Sequence, residues 1–180
     1  MIGLQDSVVE LLREGEDFSL YRSRQQGAAG SVLMLVPVQA HESATSTRRL
    51  ENEHSLASDL DPAWAVRPLG IGQHDGKRAL ILEDCAGASL QRLIGTPAGP
   101  GRFLQLAIPL ATAVRNIHKI GLVHKDIKPA HVIVAGDGSV RLTGFGFAST
   151  SSRDHPSPPS PEAIAGTLAY MAPEQTGRMK

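Results

Sequence analysis

The sequence is poor in cysteine and has no long apolar segment. Cys85 is the single cysteine among 180 residues, which excludes an internal disulfide and is typical of a reducing compartment. No run of about eighteen apolar residues is present, so the sequence predicts no insertion into a membrane. We therefore expect a cytoplasmic protein.

The sequence also lacks a net charge, because 18 lysines and arginines balance 18 aspartates and glutamates. Without an overall positive field, the chain is not expected to bind nucleic acid or an anionic membrane surface. Its 41% hydrophobic and 20% charged residues are typical of a globular protein with one domain or slightly more. Function must therefore depend on local sites.

The first half of the chain is predicted to contain short strands around one helix. The apolar runs at residues 31–38 and 78–83 have the length of buried strands. Between them, residues 47–60 are predicted to form a helix that ends at the Asp-Pro pair 61–62. One face of this helix carries residues spaced by three or four positions, which are Leu50, Glu53, Ala57 and Leu60.

The second half is predicted to be helical and then to form a hairpin. A short helix is expected at 87–94, and the apolar spacing in 103–120 indicates a long helix that is buried on one side. Two strands, 131–135 and 140–143, should form a β-hairpin around a Gly-Asp-Gly turn. Residues 148–161 are rich in serine and proline and are predicted to form a mobile loop.

Four short motifs follow one another in the second half. They are HKDIKP (124–129), GFG (144–146), GT (166–167) and APE (172–174). In this order, with a helix before them and a hairpin between them, they resemble the catalytic loop, the metal-binding loop and the end of the activation segment of Ser/Thr protein kinases.

The resemblance implies an α+β, two-lobed protein kinase-like fold. We expect an N-lobe in residues 1–83, a hinge at 84–85 and a partial C-lobe in 86–180. Kinases continue with further helices after the APE motif, so a fold truncated at this point is expected. The long helix and residues 169–179 should then expose apolar surface, unless a protein partner or the rest of a larger signalling polypeptide covers it.

Within this superfamily, the sequence is most similar to the N-terminal kinase-like domain of very large sensor histidine kinases. In that group the domain precedes an NTPase region, a GAF domain and a histidine kinase core. The resemblance rests on four sequence segments, DPAWAVRPLGI, GLVHKDIKP, LTGFGFAS and AGTLAYMAPEQTGRM. It implies a role in signal transduction.

The resemblance implies two catalytic residues in the HKDIKP motif. Asp126 matches the aspartate that accepts the proton of the substrate hydroxyl, and Lys128 matches the lysine that steadies the transferred phosphoryl group. An alternative interpretation of Asp126 is a structural carboxylate that binds backbone amides of its own loop. The sequence leaves both interpretations open.

The expected metal ligands are missing. Kinases hold Mg²⁺ through an asparagine and an aspartate at the positions that are occupied here by His131 and Gly144. Imidazole is a poor ligand for Mg²⁺ and glycine has no side chain, so no metal site is predicted and a role for Mg²⁺ is doubtful. His131 is interpreted as a packed histidine at the start of a strand.

The cation that positions the nucleotide phosphates is also missing. The predicted strand 31–38 contains no lysine or arginine, and Lys77 lies in a predicted turn. Glu53 matches the glutamate that pairs with this cation, with Glu51 as the rival assignment. Because an unpaired buried carboxylate is costly, Glu53 should face solvent or pair with an arginine that the sequence does not identify.

Part of a nucleotide-binding surface is predicted. Gly27 and Gly30 match two glycines of the Gly-rich loop, although two glycines in a surface turn explain the same pattern. Glu83 and Cys85 belong to the expected hinge, and Ile133 is expected below an adenine ring or in the ordinary core. ATP is therefore a candidate ligand.

Two functions follow from these observations. The first is a pseudokinase or regulatory module with impaired transfer of phosphate from Mg·ATP. The second is an active Ser/Thr protein kinase that uses Asp126 and Lys128 with an unusual nucleotide position.

Overall fold

The computed structural model describes residues 7–25, 30–38, 43–150 and 166–173. The first part forms a five-stranded antiparallel sheet with the strand order β1-β2-β3-β5-β4. These strands are β1 (Ser7–Arg13), β2 (Phe18–Gln25), β3 (Ser31–Pro37), β4 (Pro68–His74) and β5 (Lys77–Glu83). Helix α1 (Ala44–Ser55) lies between β3 and β4 in the sequence.

The second part is built around the long helix α2 (Pro100–Lys119). The short strands β6, β8 and β9 form one sheet, and β7 pairs with β10. Their bounds are β6 (Ala88–Ser89), β7 (Leu122–Val123), β8 (Val132–Val134), β9 (Val140–Leu142) and β10 (Ser149–Thr150). The hairpin of β8 and β9 and the long helix are therefore confirmed.

Helix α1 ends earlier than predicted. The Ser43 hydroxyl accepts a hydrogen bond from the N–H of Ser46 at 3.0 Å, which caps the first turn. At the other end, the N–H of Leu56 bonds to the carbonyl of Glu53, three residues back, and the chain leaves the helix. Leu60 therefore packs in the second core rather than on the face of α1.

Two further differences concern short elements. The helix predicted at 87–94 is a two-residue strand, β6, followed by a single 3₁₀ turn at Leu90–Leu93. The predicted loop at 148–161 begins with strand β10, and its residues from 151 onward lie outside the described part of the chain. The pairing of β6 with β8 and of β10 with β7 supplies backbone partners that local sequence does not reveal.

Strand β3 is buried on both faces of the sheet. Met34 and Val36 pack on one face with Ala79 and Ile81. Leu33 and Leu35 point to the other face, where their cluster includes Leu50 of α1, because successive side chains alternate along a strand. The unbroken apolar run of β3 follows from this burial.

The second core lies between α2 and the small sheet. Its fully buried members include Ala113 and Ile117 on α2, Leu142 on β9 and Phe145 after it. Trp64 belongs to the same core, and its carbonyl accepts a hydrogen bond from the N–H of Leu142 at 2.9 Å. The segment that follows α1 is thus anchored to the second half of the chain.

The other side of α2 exposes apolar side chains, as predicted. Phe103, Leu104 and Ile108 are each more than half exposed, as are Leu168 and Tyr170 near the APE motif. Within the described residues, neither helix has the length and apolar character that a membrane span requires.

The packing of α2 leads to a stability prediction with a matched control on the same helix. Ile117 is 0% exposed, so Ile117→Ala should lower the free energy of unfolding by about 2–5 kcal/mol. Ile108 is 62% exposed, so Ile108→Ala should change it by less than about 0.5 kcal/mol. Urea unfolding followed by circular dichroism measures both values, and similar losses in the two variants would contradict the predicted core.

Candidate functional site

A cavity of about 750 Å³ lies between the five-stranded sheet and the second half of the chain. Its roof is the turn between β1 and β2, residues 14–17, and α1 contributes one wall. The floor contains Asp126 and Lys128, with His131 and Gly144 behind them. The structure therefore brings the two predicted catalytic residues and the two substituted metal positions into one cavity, which we call the catalytic-side cavity.

Asp126, Lys128 and Thr167 form a connected polar group on the floor. The Thr167 hydroxyl donates to Asp126 Oδ1 at 2.8 Å, and Lys128 Nζ donates to that hydroxyl at 2.5 Å. Lys128 Nζ also lies 3.2 Å from Asp126 Oδ2. Thr167 belongs to the GT motif, so this motif completes the polar group.

The charges of this group follow from its surroundings. Burial raises the pKa of Asp126, but the neighbouring His131, the Thr167 hydrogen bond and the Lys128 ammonium group outweigh burial, and the pKa lies below its ordinary value. Asp126 is therefore ionised at neutral pH. Its Oδ2 atom is buried, with Lys128 Nζ at 3.2 Å and His131 Nδ1 at 3.4 Å.

His131 is buried and uncharged, as the packed-histidine interpretation predicted. Its Nδ1 lies 2.8 Å from the backbone oxygen of Asp126, so Nδ1 carries the proton and donates. Burial lowers the pKa of His131 to about 3. The ring thus acts as a neutral support for the backbone of the HKDIKP loop.

Gly144 and His131 fit together by shape. Gly144 adopts the left-handed conformation with φ of +81°. A Cβ atom at this position would lie 2.7 Å from three atoms of the His131 ring. The imidazole therefore fills the space that a larger residue at position 144 would need.

Glu53 faces inward. Its side chain is 1% exposed, and Oε1 accepts a hydrogen bond from the N–H of Gly144 at 3.0 Å. Burial raises the pKa of Glu53 to about 7, and the backbone N–H groups of Gly144 and Phe145 limit the increase. Glu51 is exposed and pairs with Arg78 at 2.9 Å. The carboxylate of α1 that faces inward is therefore Glu53 and not Glu51.

No cation on β3 accompanies Glu53. Leu35 lines the cavity at the inward face of β3, and the strand contains no lysine or arginine. Lys77 begins β5, and its Nζ donates to the carbonyls of Pro37 and Val38 at 3.3 and 3.2 Å. Lys77 is therefore engaged away from Glu53.

Two arginines that the sequence analysis did not identify line the same cavity. Arg49 Nη1 lies 2.6 Å from Asp17 Oδ2, and its guanidinium stacks on the rings of Phe18 and Phe147 at 4.7 and 4.1 Å. Arg13, at the end of β1, is electrostatically coupled to both Glu53 and Asp126. The one local signal for Arg49 was its position four residues before Glu53 on the same helix face.

The roof differs from the predicted Gly-rich loop. Gly30 lies at the start of β3, exposed, with no atom within 4 Å of an added Cβ, and it lines neither of the two cavities described. Gly27 lies outside the described residues. The turn that covers the cavity is instead Glu14-Gly15-Glu16-Asp17, because it connects β1 and β2.

Ion pairs stabilise the predicted hinge. Glu83 pairs with Arg67 at 3.3 Å and with Arg141 of β9 at 3.5 Å, which links the two halves of the chain. Cys85 is half-buried against the first core, and burial raises the pKa of its thiol. Ile133 is buried in the same core and lines a second cavity beside the hinge.

The GFG segment is held by contacts from both sides. Asn52 Nδ2 donates to the carbonyls of Phe145, Gly146 and Ala148 at 3.0–3.3 Å. On the other side, the rings of His124 and Phe145 stack with centroids 4.6 Å apart. Within the described residues, no group of three or more His, Cys, Asp or Glu side chains is arranged to hold a metal ion.

The raised pKa of Glu53 predicts a specific pH dependence. Since the folded-state pKa of about 7 exceeds the ordinary value of 4.5, the wild type should lose stability as the pH rises through this interval. Glu53→Gln keeps the acceptor for Gly144 but does not titrate. The free energy of unfolding of the variant should therefore rise by about 3 kcal/mol relative to that of the wild type as the pH goes from 4.5 to 8.

Urea unfolding at several pH values measures this difference. Protonation of His131 lowers the stability of the protein as the pH falls from 6.5 towards 3. This effect is the same in the wild type and in the variant, so it does not change the difference between them. Glu51→Gln is the matched control, because that side chain is exposed. If the free energy of unfolding of Glu53→Gln changes with pH in parallel with that of the wild type, the pKa of Glu53 is not raised.

Comparison with known proteins agrees with this geometry. A family model for the protein kinase domain matches residues 11–180. The serine/threonine-protein kinase pkn2 of Myxococcus xanthus is 31% identical over 140 residues, which cover 75% of this chain and 17% of that protein. PrkC of Bacillus subtilis is 28% identical over 133 residues, covering 71% of this chain and 20% of that protein.

A third relative, the DNA damage-responsive serine/threonine-protein kinase RqkA of Deinococcus radiodurans, is 29% identical over 173 residues, 93% of this chain. The chain spans only 17–26% of the lengths of these three relatives. The predicted α+β kinase-like architecture is confirmed, since a sheet with one helix precedes a helical part that carries the HKDIKP and GFG motifs. The chain therefore belongs to the protein kinase domain family.

Proposed function

We propose that this chain is the kinase-like module of a signalling protein and does not catalyse ordinary Mg²⁺-dependent phosphoryl transfer. The contact between His131 and Gly144 carries the proposal. Two positions that should hold Mg²⁺ contain a neutral imidazole and a glycine, and the imidazole fills the space beside the glycine. The module then acts through its shape, as a binding and conformational element.

The residues present do not fit a magnesium ion. Mg²⁺ requires oxygen ligands in near-octahedral geometry, and neither His131 nor Gly144 supplies a side-chain oxygen. Two of the neighbouring carboxylate oxygens are engaged, since Glu53 Oε1 accepts from the N–H of Gly144 and Asp126 Oδ1 accepts from Thr167.

The similarity to the kinase-like domain of large sensor histidine kinases supports a place in a larger signalling polypeptide. The exposed apolar side chains of α2 agree with a module that contacts other protein surface. The relatives are serine/threonine-protein kinases of greater length, which agrees with a module of a larger protein.

An active Ser/Thr kinase is the second candidate, and one observation favours it. Asp126 is ionised, and Lys128 and Thr167 hold it in place. An ionised carboxylate at this position is a suitable base for a substrate hydroxyl. This arrangement is compatible with proton transfer but supplies no cation on β3 for the nucleotide phosphates.

A pair of substitutions tests the metal argument. Gly144→Asp alone should destabilise the protein by about 1–3 kcal/mol, because its Cβ collides with the His131 ring. His131→Asn in the same chain should relieve the collision and place two oxygen ligands together. The double variant should show a rise in melting temperature with ADP that depends on Mg²⁺, whereas the wild type should not.

The thermal melts are run for the wild type, both single variants and the double variant, each with ADP in EDTA or in millimolar Mg²⁺. His131→Asn alone is the control for loss of the imidazole. A Mg²⁺-dependent stabilisation of the wild type as large as that of the double variant would refute the proposal.

Direct assay separates the two candidate functions. With Mg·ATP and a Ser/Thr peptide, the wild type should transfer phosphate no faster than Asp126→Asn and far below the roughly 1–100 per second of ordinary kinases. Radiolabelled phosphate on the peptide is the measurement. Transfer by the wild type that Asp126→Asn abolishes would replace the pseudokinase proposal with the enzyme.

A further inference from the structure

Arg49 contacts three elements that are far apart in the chain. It lies on α1, and its Nη1 is 2.6 Å from Asp17 Oδ2 at the end of the roof. Its guanidinium carbon lies 4.7 Å from the ring centre of Phe18 and 4.1 Å from that of Phe147. Phe18 begins β2, and Phe147 directly follows the GFG motif. One side chain thus connects the roof, the helix and the GFG segment, which we define as residues 144–148.

The two rings contribute more to holding Arg49 than the ion pair does. The Arg49 side chain is 15% exposed, whereas that of Asp17 is 60% exposed, so solvent weakens their attraction. Phe18 is buried and Phe147 is half-buried. A guanidinium binds an aromatic ring more strongly where both are removed from water. Asp17 then fixes the direction in which the guanidinium points.

The GFG segment packs directly on the helix turn that carries Arg49. An added Cβ at Gly146 would lie 3.1 Å from Arg49 Cβ and 3.3 Å from the Arg49 carbonyl oxygen. One turn further along α1, Asn52 Nδ2 donates to the carbonyls of Phe145, Gly146 and Ala148. Movement of this segment away from α1 therefore also takes the Phe147 ring away from Arg49.

The roof is a compact turn that ends at Asp17. An added Cβ at Gly15 would lie 2.5 Å from the carbonyl oxygen of Phe18, so the turn is tight. The carbonyl of Asp17 accepts a hydrogen bond from the N–H of Val38 at 2.9 Å, which anchors the end of the turn to the sheet. Movement of the turn therefore changes the position of the Asp17 carboxylate relative to Arg49.

A second ion pair joins the sheet to α1, but it has a different environment. Arg78 of β5 lies 2.9 Å from Glu51, and the two side chains are 44% and 58% exposed. Glu51 does not line the catalytic-side cavity, whereas Arg49 does. The contacts of Arg49 are therefore suited to link the roof with the GFG segment, and the pair of Arg78 and Glu51 provides a control within the same helix.

We propose that Arg49 is a clasp that couples the roof to the GFG segment, so that the two segments open together. When Asp17 moves away, Arg49 loses the acceptor that holds its guanidinium over Phe147, and the GFG segment loosens. Displacement of Phe147 releases Arg49 from the other side and loosens the roof. Both ends thus bias the position of one shared side chain, which is the physical requirement for coupling.

This clasp gives the conformational element of the proposed function a physical form, and its biological role rests on that proposal. The coupling itself needs neither a metal ion nor phosphate transfer. Transfer of phosphate by the wild type in the peptide assay would end the pseudokinase proposal and leave the clasp intact. Independent opening of the roof and the GFG segment would end the clasp and leave the pseudokinase proposal intact.

Hydrogen exchange of the 180-residue chain, followed by mass spectrometry without nucleotide, tests the clasp. Peptides that cover the roof and the GFG segment are compared with a peptide around Ile117, which reports global unfolding. Arg49→Gln should raise exchange in both segments by about fivefold or more relative to that reference. Arg49→Lys keeps the charge and should restore part of the protection. Arg48→Gln removes the same charge from the exposed neighbouring position and should change neither segment.

Variants at the two ends separate coupling from local damage. Phe147→Leu should raise exchange of the roof about threefold, and Asp17→Asn should raise exchange of the GFG segment about twofold. In the Arg49→Gln background neither substitution should have a further effect on the other segment, because the connection is already lost. Glu51→Gln, which breaks the ion pair with Arg78, should leave both segments unchanged.

Two results would overturn the clasp. One is an Arg49→Gln variant in which exchange rises in only one of the two segments. The other is a pair of variants, Phe147→Leu and Asp17→Asn, that melt normally and leave exchange of the opposite segment unchanged. The second result decides the question even if Arg49→Gln does not fold, since Asp17 is mostly exposed and its substitution should not disturb folding.

Discussion

The hydrogen bond from the N–H of Gly144 to the buried carboxylate of Glu53 joins helix α1 to the segment after β9. Glu53 has no cation on β3 to pair with, so its burial depends on main-chain donors. Asn52 adds three hydrogen bonds to carbonyls of the same segment. The position of α1 therefore depends on hydrogen bonds to the backbone of this segment, together with the ion pair between Arg49 and Asp17.

Two side chains near this contact are uncharged. Leu35 belongs to the first core, and His131 packs as a neutral ring against Gly144. Both tolerate burial without a ligand. This end of the cleft is therefore packed interior, although Asp126 and Lys128 keep their polar contacts.

Charge is distributed unevenly along the cleft. The roof contributes Glu14, Glu16 and Asp17, and Asp17 pairs with Arg49. The second cavity, beside the hinge, has the opposite character, because its described lining contains arginines and no carboxylate. Arg13 lines both cavities.

The sequence by itself determined the elements whose signals are local. The apolar run of β3, the periodicity of α2, the β8–β9 hairpin and the order of the motifs all appear in short windows, and so does the lack of lysine and arginine in β3. Strands β1, β2 and β4 and the early end of α1 were not predicted, because tertiary pairing overrides their weak local patterns.

Only the tertiary structure decided which residues meet. It buried Glu53 rather than Glu51, covered the cavity with residues 14–17 rather than with Gly30, and placed Arg49 against Asp17. These contacts join residues that are far apart in the chain. Some buried side chains, such as Glu53, bind backbone groups rather than other side chains. Local sequence therefore contains no signal for such partners, whose pairing follows from how the two halves of the chain pack.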